Sequence, residues 1–205
     1  MAMQPSRNML ESLLHELADW LEFDDCEPVE WVVCGGVALA FQGLRLRTTR
    51  DVDVLGDWKA ADMVIACIED FPSKVKTCIQ RVTENHPELW GLGTNWINLV
   101  PRRLAAHGLP KGFAQRMASV QFGKRLTIHL LGRSDLLALK LYAAADDLGP
   151  RQEIHYQDIK AMNPKFDELD EAVDWVRTLP DFEEKRMELK EVVRRLDYDD
   201  LAYYI

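Results

Sequence analysis

Positive charge is scarce in this chain. Its 205 residues hold 25 Lys and Arg against 34 Asp and Glu, a formal net charge of −9. That excludes a protein whose whole surface grips a polyanion, although a local basic groove stays open. Cysteine is sparse too: Cys26, Cys34, Cys67 and Cys78 form no CxxC pair and no Cys/His spacing of a zinc site. Buried free thiols in a reducing compartment are the expectation. Long apolar runs are missing; none approaches the roughly 18 residues of a membrane span, so no membrane partner is expected. The opening MAMQPSRNMLESLLHELADWL has acids and a histidine inside its apolar periodicity, unlike a signal peptide. A cytoplasmic location is the default expectation. Repeats and low-complexity tracts are absent as well.

What is present is an ordinary globular composition, 47% hydrophobic and 29% charged, in a length that gives one domain or a domain with a helical extension. Residues 7–22 repeat apolar side chains at helical spacing, from Met9 and Leu10 to Trp20 and Leu21. Glu30 to Cys34 reads as a buried strand, Gly35 to Phe41 as a helix, and Asp51 to Leu55 as a strand. A helix is expected over Lys59 to Phe71 and a strand over Lys74 to Val82. NWINLV, at 95–100, is strand-like. Two more strands, at about 116–121 and 125–131, flank a turn at Phe122-Gly123-Lys124. Ser134-Asp135 opens the helix LLALKLYAAADDL; EIHYQDIKAM is a second helix, broken at Asn163-Pro164. Acidic amphipathic helices follow at 167–178 and 181–196. Strands early and helices late define an α+β fold with a helical C-terminal part.

The chemistry concentrates in VVCGGVALAFQGLRLRTTRDVDVLG, residues 32–56. A strand ending in Gly35-Gly36 before a helix lets backbone approach a phosphate, where the helix N-terminus offers N–H groups; the glycines could equally mark a tight turn. Asp51 and Asp53, at i and i+2, share one strand face. Two such carboxylates repel unless a cation or basic partner lies between them. Magnesium suits hard carboxylate oxygens and keeps positions for phosphate, and two such ions can assist an in-line displacement. The plainer alternative is an exposed strand whose acids pair with Arg45, Arg47 and Arg50.

This order, GG, short helix, RTTRDVDVL, resembles the signature of the nucleotidyltransferase superfamily with the DNA polymerase beta-like fold. Fourteen residues, Val37 to Arg50, separate Gly36 from Asp51, a spacing that suits it. SDLLALKLYAAADD followed by EIHYQDIKAM resembles the later segments of the AbiEii-like toxin nucleotidyltransferases and their uncharacterised bacterial relatives, as do NWINLV and GLPKGFAQR for their middle. The resemblance, over roughly residues 30–165, implies a mixed sheet flanked by helices: a sheet domain with N-terminal helix over 1–132 and a helical part packed on it over 133–205, or one domain of both. It implies a triphosphate-cradling turn at Gly35 and Gly36, nucleotide contacts from Thr49, Arg50 and Lys140, metal binding by Asp51 and Asp53, and catalytic roles for Asp51, Asp53, Lys140 and Asp158. Mg2+ or Mn2+ would be the cofactor and NTP the substrate. The acceptor would be an RNA 3′ end, a protein or a small-molecule hydroxyl, and a cognate antitoxin is a candidate partner.

The residues qualify that picture. Lysine suits a triphosphate as a point charge, and Asp158 could orient it, join metal chemistry or act as a base; but Lys140 on an apolar helix could also be a snorkelling side chain. Many active members of the superfamily carry a third carboxylate on a later strand beside the paired acids. The candidate strand, Leu126 to Leu131, has none, and His129 stands there, more simply read as a satisfied core or edge histidine. Asp146-Asp147 occupy a place where relatives often have arginine. Pro101-Arg102-Arg103 with Lys111, Arg116, Lys124 and Arg125 forms a candidate nucleic-acid strip or a plain solvated face. A degenerate module that binds nucleotide or a protein partner is the alternative function; an antitoxin is a third, weaker reading.

Overall fold

The structure is a computed structural model that describes residues 7–44, 51–86, 96–99, 108–146 and 149–205. In chain order these form α1 (Arg7–Phe23), β1 (Val29–Cys34), α2 (Gly35–Phe41), β2 (Val52–Lys59), β3 (Val64–Ala66), α3 (Ser73–Asn85), β4 (Ile97–Asn98), α4 (Phe113–Arg116), β5 (Ala118–Phe122), β6 (Leu126–Leu130), α5 (Arg133–Asp146), α6 (Pro150–Met162), α7 (Phe166–Arg177), α8 (Phe182–Arg195) and α9 (Asp199–Tyr204). The six strands make one mixed sheet, ordered β3-β2-β1-β6-β5, with β4 also on β2. β1 runs antiparallel to β2 and parallel to β6. β4 pairs with the start of β2, and β3 with its end. This is the expected α+β class, a mixed sheet flanked by helices with further helices at the C-terminus.

Burial explains why each element sits where it does. Leu10, Leu13, Leu14, Leu17 and Leu21 form the buried stripe of α1, which packs on α3, α2 and β5. Helix α5 is apolar around nearly its whole circumference, with Leu136, Leu137, Leu139 and Leu141 all buried. A helix of that kind must be surrounded, and α2, α6, α7 and α8 surround it. The sheet end carrying α2 is thereby joined to the C-terminal helices.

Two segments differ from the sequence reading. Residues 59–71 hold no helix. The chain leaves β2, turns with Met63 at φ 54°, and pairs Val64–Ala66 back on Asp57–Lys59. Gly56 allows this close return: a β-carbon there would lie 2.3 Å from the Ala66 carbonyl oxygen. Residues 74–82, expected as a strand, belong to helix α3, whose buried side chains are Val75, Cys78, Ile79 and Val82. That is i, i+3, i+4, i+7 spacing, the helical period rather than the strand period. The strand expected at Asp51–Leu55 begins at Val52 and runs on to Lys59.

Candidate functional site

Strand β1 ends at Cys34 and the chain turns directly into α2. Gly35 takes φ 70° there. Cys34 pairs with Asp53 across the β1–β2 ladder, so the turn and the acid meet at one end of the sheet. The contact is intimate: a β-carbon on residue 35 would fall 1.9 Å from Asp53 Oδ2. The first glycine is therefore required by the carboxylate of Asp53, whatever else the turn does.

Strand β4 completes the site from the other side of β2. It runs parallel to β2, with Ile97 opposite Val52 and Asn98 opposite Asp53. Residues paired across a ladder point to the same face, and Asn98 uses this. Its side-chain amide donates to Asp53 Oδ1 at 3.1 Å and reaches Asp51 Oδ2 at 3.5 Å. Asp51 is exposed, while Asp53 and Asn98 are half-buried. One amide thus spans both acids of the DVD triplet. The strand beside the paired acids is β4 and not Leu126–Leu131, because β6 lies between β1 and β5.

His129 is correspondingly a structural side chain. Its ring nitrogens meet Ser119 Oγ at 2.8 Å and Glu30 Oε2 at 3.1 Å, and the ring lies against Trp58 with centroids 5.9 Å apart.

The two downstream residues meet each other. Lys140 on α5 donates from Nζ to Asp158 Oδ2 on α6 at 2.6 Å. Both are buried, at 7% and 2% exposure, so the lysine is neither solvated nor snorkelling. Lys140 also lies within electrostatic reach of the sheet end. Burial raises the Cys34 thiol pKa well above its ordinary value; Asp53 adds to that rise, Lys140 opposes it, and Asp51 adds a smaller push. Three of the four candidate catalytic groups are felt at one sulfur. Thr49 and Arg50 lie outside the described residues, as do Arg45, Arg47, Pro101 to Arg103 and Asp147.

Other candidates are tied up elsewhere. Arg116 makes a two-pronged pair with the fully buried Asp135, at 3.1 Å from Nε and 2.5 Å from a terminal nitrogen. Arg125 binds Asp25 and the Cys26 carbonyl oxygen. Two members of the basic strip are thus structural clamps. Tyr156 packs, with the Arg195 guanidinium 4.0 Å from its ring centroid. Trp31 and Trp96 are core residues. Cys26, Cys34 and Cys78 are buried thiols, whereas Cys67 is exposed. A cavity of about 730 Å3, lined by Trp31, Asp57, Trp58 and Phe71 among others, opens at the start of β1 and the end of β2, the far end of these strands from Cys34 and Asp53.

Oxygen donors of Asp51 and Asp53 at the start of β2, both within reach of the Asn98 amide, suit a hard divalent cation. Among the described residues no group of three or more His, Cys, Asp or Glu is placed to hold a metal ion. Asp51 and Asp53 therefore fit such an ion only if other donors, such as phosphate oxygens, complete its shell.

A glycine turn packed on paired acids, beside a mixed sheet with helices on it, defines a nucleotidyltransferase-like protein. Residues 9–159 match the family described as nucleotidyltransferase of unknown function (DUF6036), and the chain belongs to that family. The matched span contains Gly35, Asp51, Asp53, Asn98, Lys140 and Asp158, and ends one residue beyond the last. No curated protein and no solved structure matches the chain. No helix among the described residues is long and apolar enough to cross a membrane.

Proposed function

We propose that this nucleotidyltransferase moves a nucleoside monophosphate from NTP to an acceptor hydroxyl at the Asp51–Asp53 end of the sheet, with Mg2+ or Mn2+ as cofactor. The observation that carries the reading is the packing of Asp53 into the Gly35 turn with Asp51 on the same face. Asp51 and Asp53 would hold the cation, which when bound would neutralise charge on the triphosphate. Gly36 and the backbone of the turn would lie against the phosphates. The acceptor oxygen would bond to the α-phosphorus as the bond to the β-phosphate bridge breaks, pyrophosphate leaves, and the hydroxyl proton passes to water.

Asp158 is best read as the group that holds Lys140. An acid 2% exposed and already accepting from an ammonium at 2.6 Å is poorly placed to take a proton from an acceptor. Lys140 has three donors and spends one on Asp158, so two stay available for a phosphate oxygen.

The acceptor would be an RNA 3′ end, a protein or a small-molecule hydroxyl, and the likeness of the rear helices to the AbiEii-like toxins favours RNA with a cognate antitoxin. A second reading, a degenerate module that binds nucleotide or a protein, is favoured by Asn98, a neutral side chain on the strand beside the paired acids. The test is incubation of purified protein with each labelled NTP, Mg2+ or Mn2+, total RNA and a protein panel. Metal-dependent label transfer with pyrophosphate release supports the enzyme. Nucleotide binding without transfer supports the module.

A further inference from the structure

We propose that the cavity at the start of β1 and the end of β2 is a second ligand site, built for a small organic cation: an ammonium or guanidinium group on a flat apolar body. The inference stands apart from the transferase reading, because the cavity opens at the other end of these strands from Cys34 and Asp53.

The starting observation is an aspartate on the inward face of the sheet. Asp57 pairs with Trp31 across the β1–β2 ladder, and paired residues point to one face. Trp31 is a core side chain on that face, its ring 5.1 Å from that of Phe71. A strand position beside a core tryptophan ordinarily carries an apolar side chain. Asp57 instead joins Trp31, Ile68, Phe71 and Val75 in lining a cavity of about 730 Å3. That is the size of a small-molecule site, roughly 300–1,000 Å3, and such sites combine mostly apolar walls with a few placed polar groups. Trp58 adds a half-buried indole to the wall.

Charge sets the class of ligand. The Asp57 carboxylate meets Lys59 at 3.7 Å, and both side chains are partly exposed. An ion pair of that kind is weak. Burial raises the Asp57 carboxyl pKa above its ordinary value against the pull of Lys59, so the charge is incompletely compensated. The remaining ionisable wall residues are Glu27, Glu30 and Asp62 against Lys74. Lys74 is held by the Asp24 carbonyl oxygen at 3.1 Å. The excess is negative, which disfavours phosphates and other anions. A cation reaching Asp57 would make a short charge-assisted hydrogen bond in place of the long contact with Lys59. Its apolar body would cover Ile68 and Phe71, and an indole face such as that of Trp58 attracts a cation.

The experiment is calorimetric titration with tryptamine and with its neutral and anionic counterparts, tryptophol and indoleacetate. Wild type is expected to bind tryptamine at least about tenfold more tightly than tryptophol, and indoleacetate most weakly. Asp57→Asn, nearly isosteric, is expected to bring tryptamine down to the level of tryptophol and to leave tryptophol unchanged. Lys59→Ala removes the competing cation and is expected to tighten tryptamine binding by about twofold or more. The double variant Asp51→Asn with Asp53→Asn is expected to bind tryptamine as wild type does. The inference is overturned if wild type does not prefer the amine, or if a folded Asp57→Asn binds it unchanged. It is also overturned if Lys59→Ala gains no affinity, or if the Asp51, Asp53 double variant loses the amine. None of these outcomes touches the transferase reading. Should Asp57→Asn not fold, the wild-type preference and the Lys59→Ala titration decide.

Discussion

The carboxylate of Asp53 occupies the volume that a side chain on residue 35 would need: a β-carbon there would sit 1.9 Å from Asp53 Oδ2 and 2.9 Å from its Cγ. Gly35→Ala must therefore turn Asp53 away and hold alanine at φ 70°. The expected cost is about 1–3 kcal/mol of stability from the backbone alone, with Mn2+–nucleotide binding lost as the acid leaves its place. Chemical denaturation and nucleotide titration check the two effects separately.

Replacing both acids with amides, Asp51→Asn with Asp53→Asn, removes the charge that would hold the cation and keeps the shape. Melting temperature is measured alongside as a control for folding, since the Asn98 amide loses its charged acceptors in the variant. Binding of a manganese–nucleotide complex is expected to vanish. Equal binding by wild type and the double variant would sink the site.

The Lys140–Asp158 pair demands more care than a simple alanine variant. Truncating Lys140 alone removes the ion-pair partner of a buried carboxylate, which typically costs about 3–5 kcal/mol. Loss of NTP binding in Lys140→Ala could then be mere unfolding. The double variant Lys140→Met with Asp158→Leu replaces both charges by apolar groups, a change that is often neutral for stability. It is expected to melt near wild type and still to lose nucleotide affinity. A double variant that binds NTP as wild type does would remove Lys140 from the proposed site.

Arg116 and Asp135 give a structural counterpart. Asp135 has no exposed surface, and Arg116 binds both its carboxylate oxygens. Arg116→Ala is expected to cost about 3 kcal/mol or more. Arg116→Lys should recover only part of that, since an ammonium cannot make the two-pronged contact. Urea unfolding midpoints of the three proteins decide it.

Alkaline stability turns on Tyr142. Burial and then its hydrogen bond to Asp181, made at 2.7 Å, push its hydroxyl up to about 12 from an ordinary 10, against the opposing pull of Lys185. The folded state holds this proton more tightly than the unfolded chain. The contribution is thus complete below about pH 10 and lost as pH rises toward 12. Between those values wild type should lose melting temperature faster than Tyr142→Phe. At neutral pH the variant should be less stable by about 1 kcal/mol, one hydrogen bond. Parallel pH–melting curves for both proteins would refute this.

Local order in the chain determined the core of the argument. Strand, double glycine, helix and DVD triplet could be read directly, because a period of two puts Asp51 and Asp53 on one face whatever surrounds them. The same is true of α1, α2 and α5 to α8, each with a clear apolar stripe or a clear stop; α9, Asp199–Tyr204, was not expected. The stripe of α3 is equally present in Val75, Cys78, Ile79 and Val82, although so short an apolar segment also suits a strand, and the 59–71 hairpin is hidden by its short turn. What only tertiary structure decided were the long-range pairings. A two-residue strand at 97–98 has too little pattern to announce itself, yet its register sets Asn98 across from Asp53. Lys140 could have been solvated, and Arg116 a basic-strip residue, until helix packing placed Asp158 and Asp135 beside them. The physical reason is that burial makes a charge seek its partner, and which partner lies in reach depends on how the sheet and helices close, not on spacing along the chain.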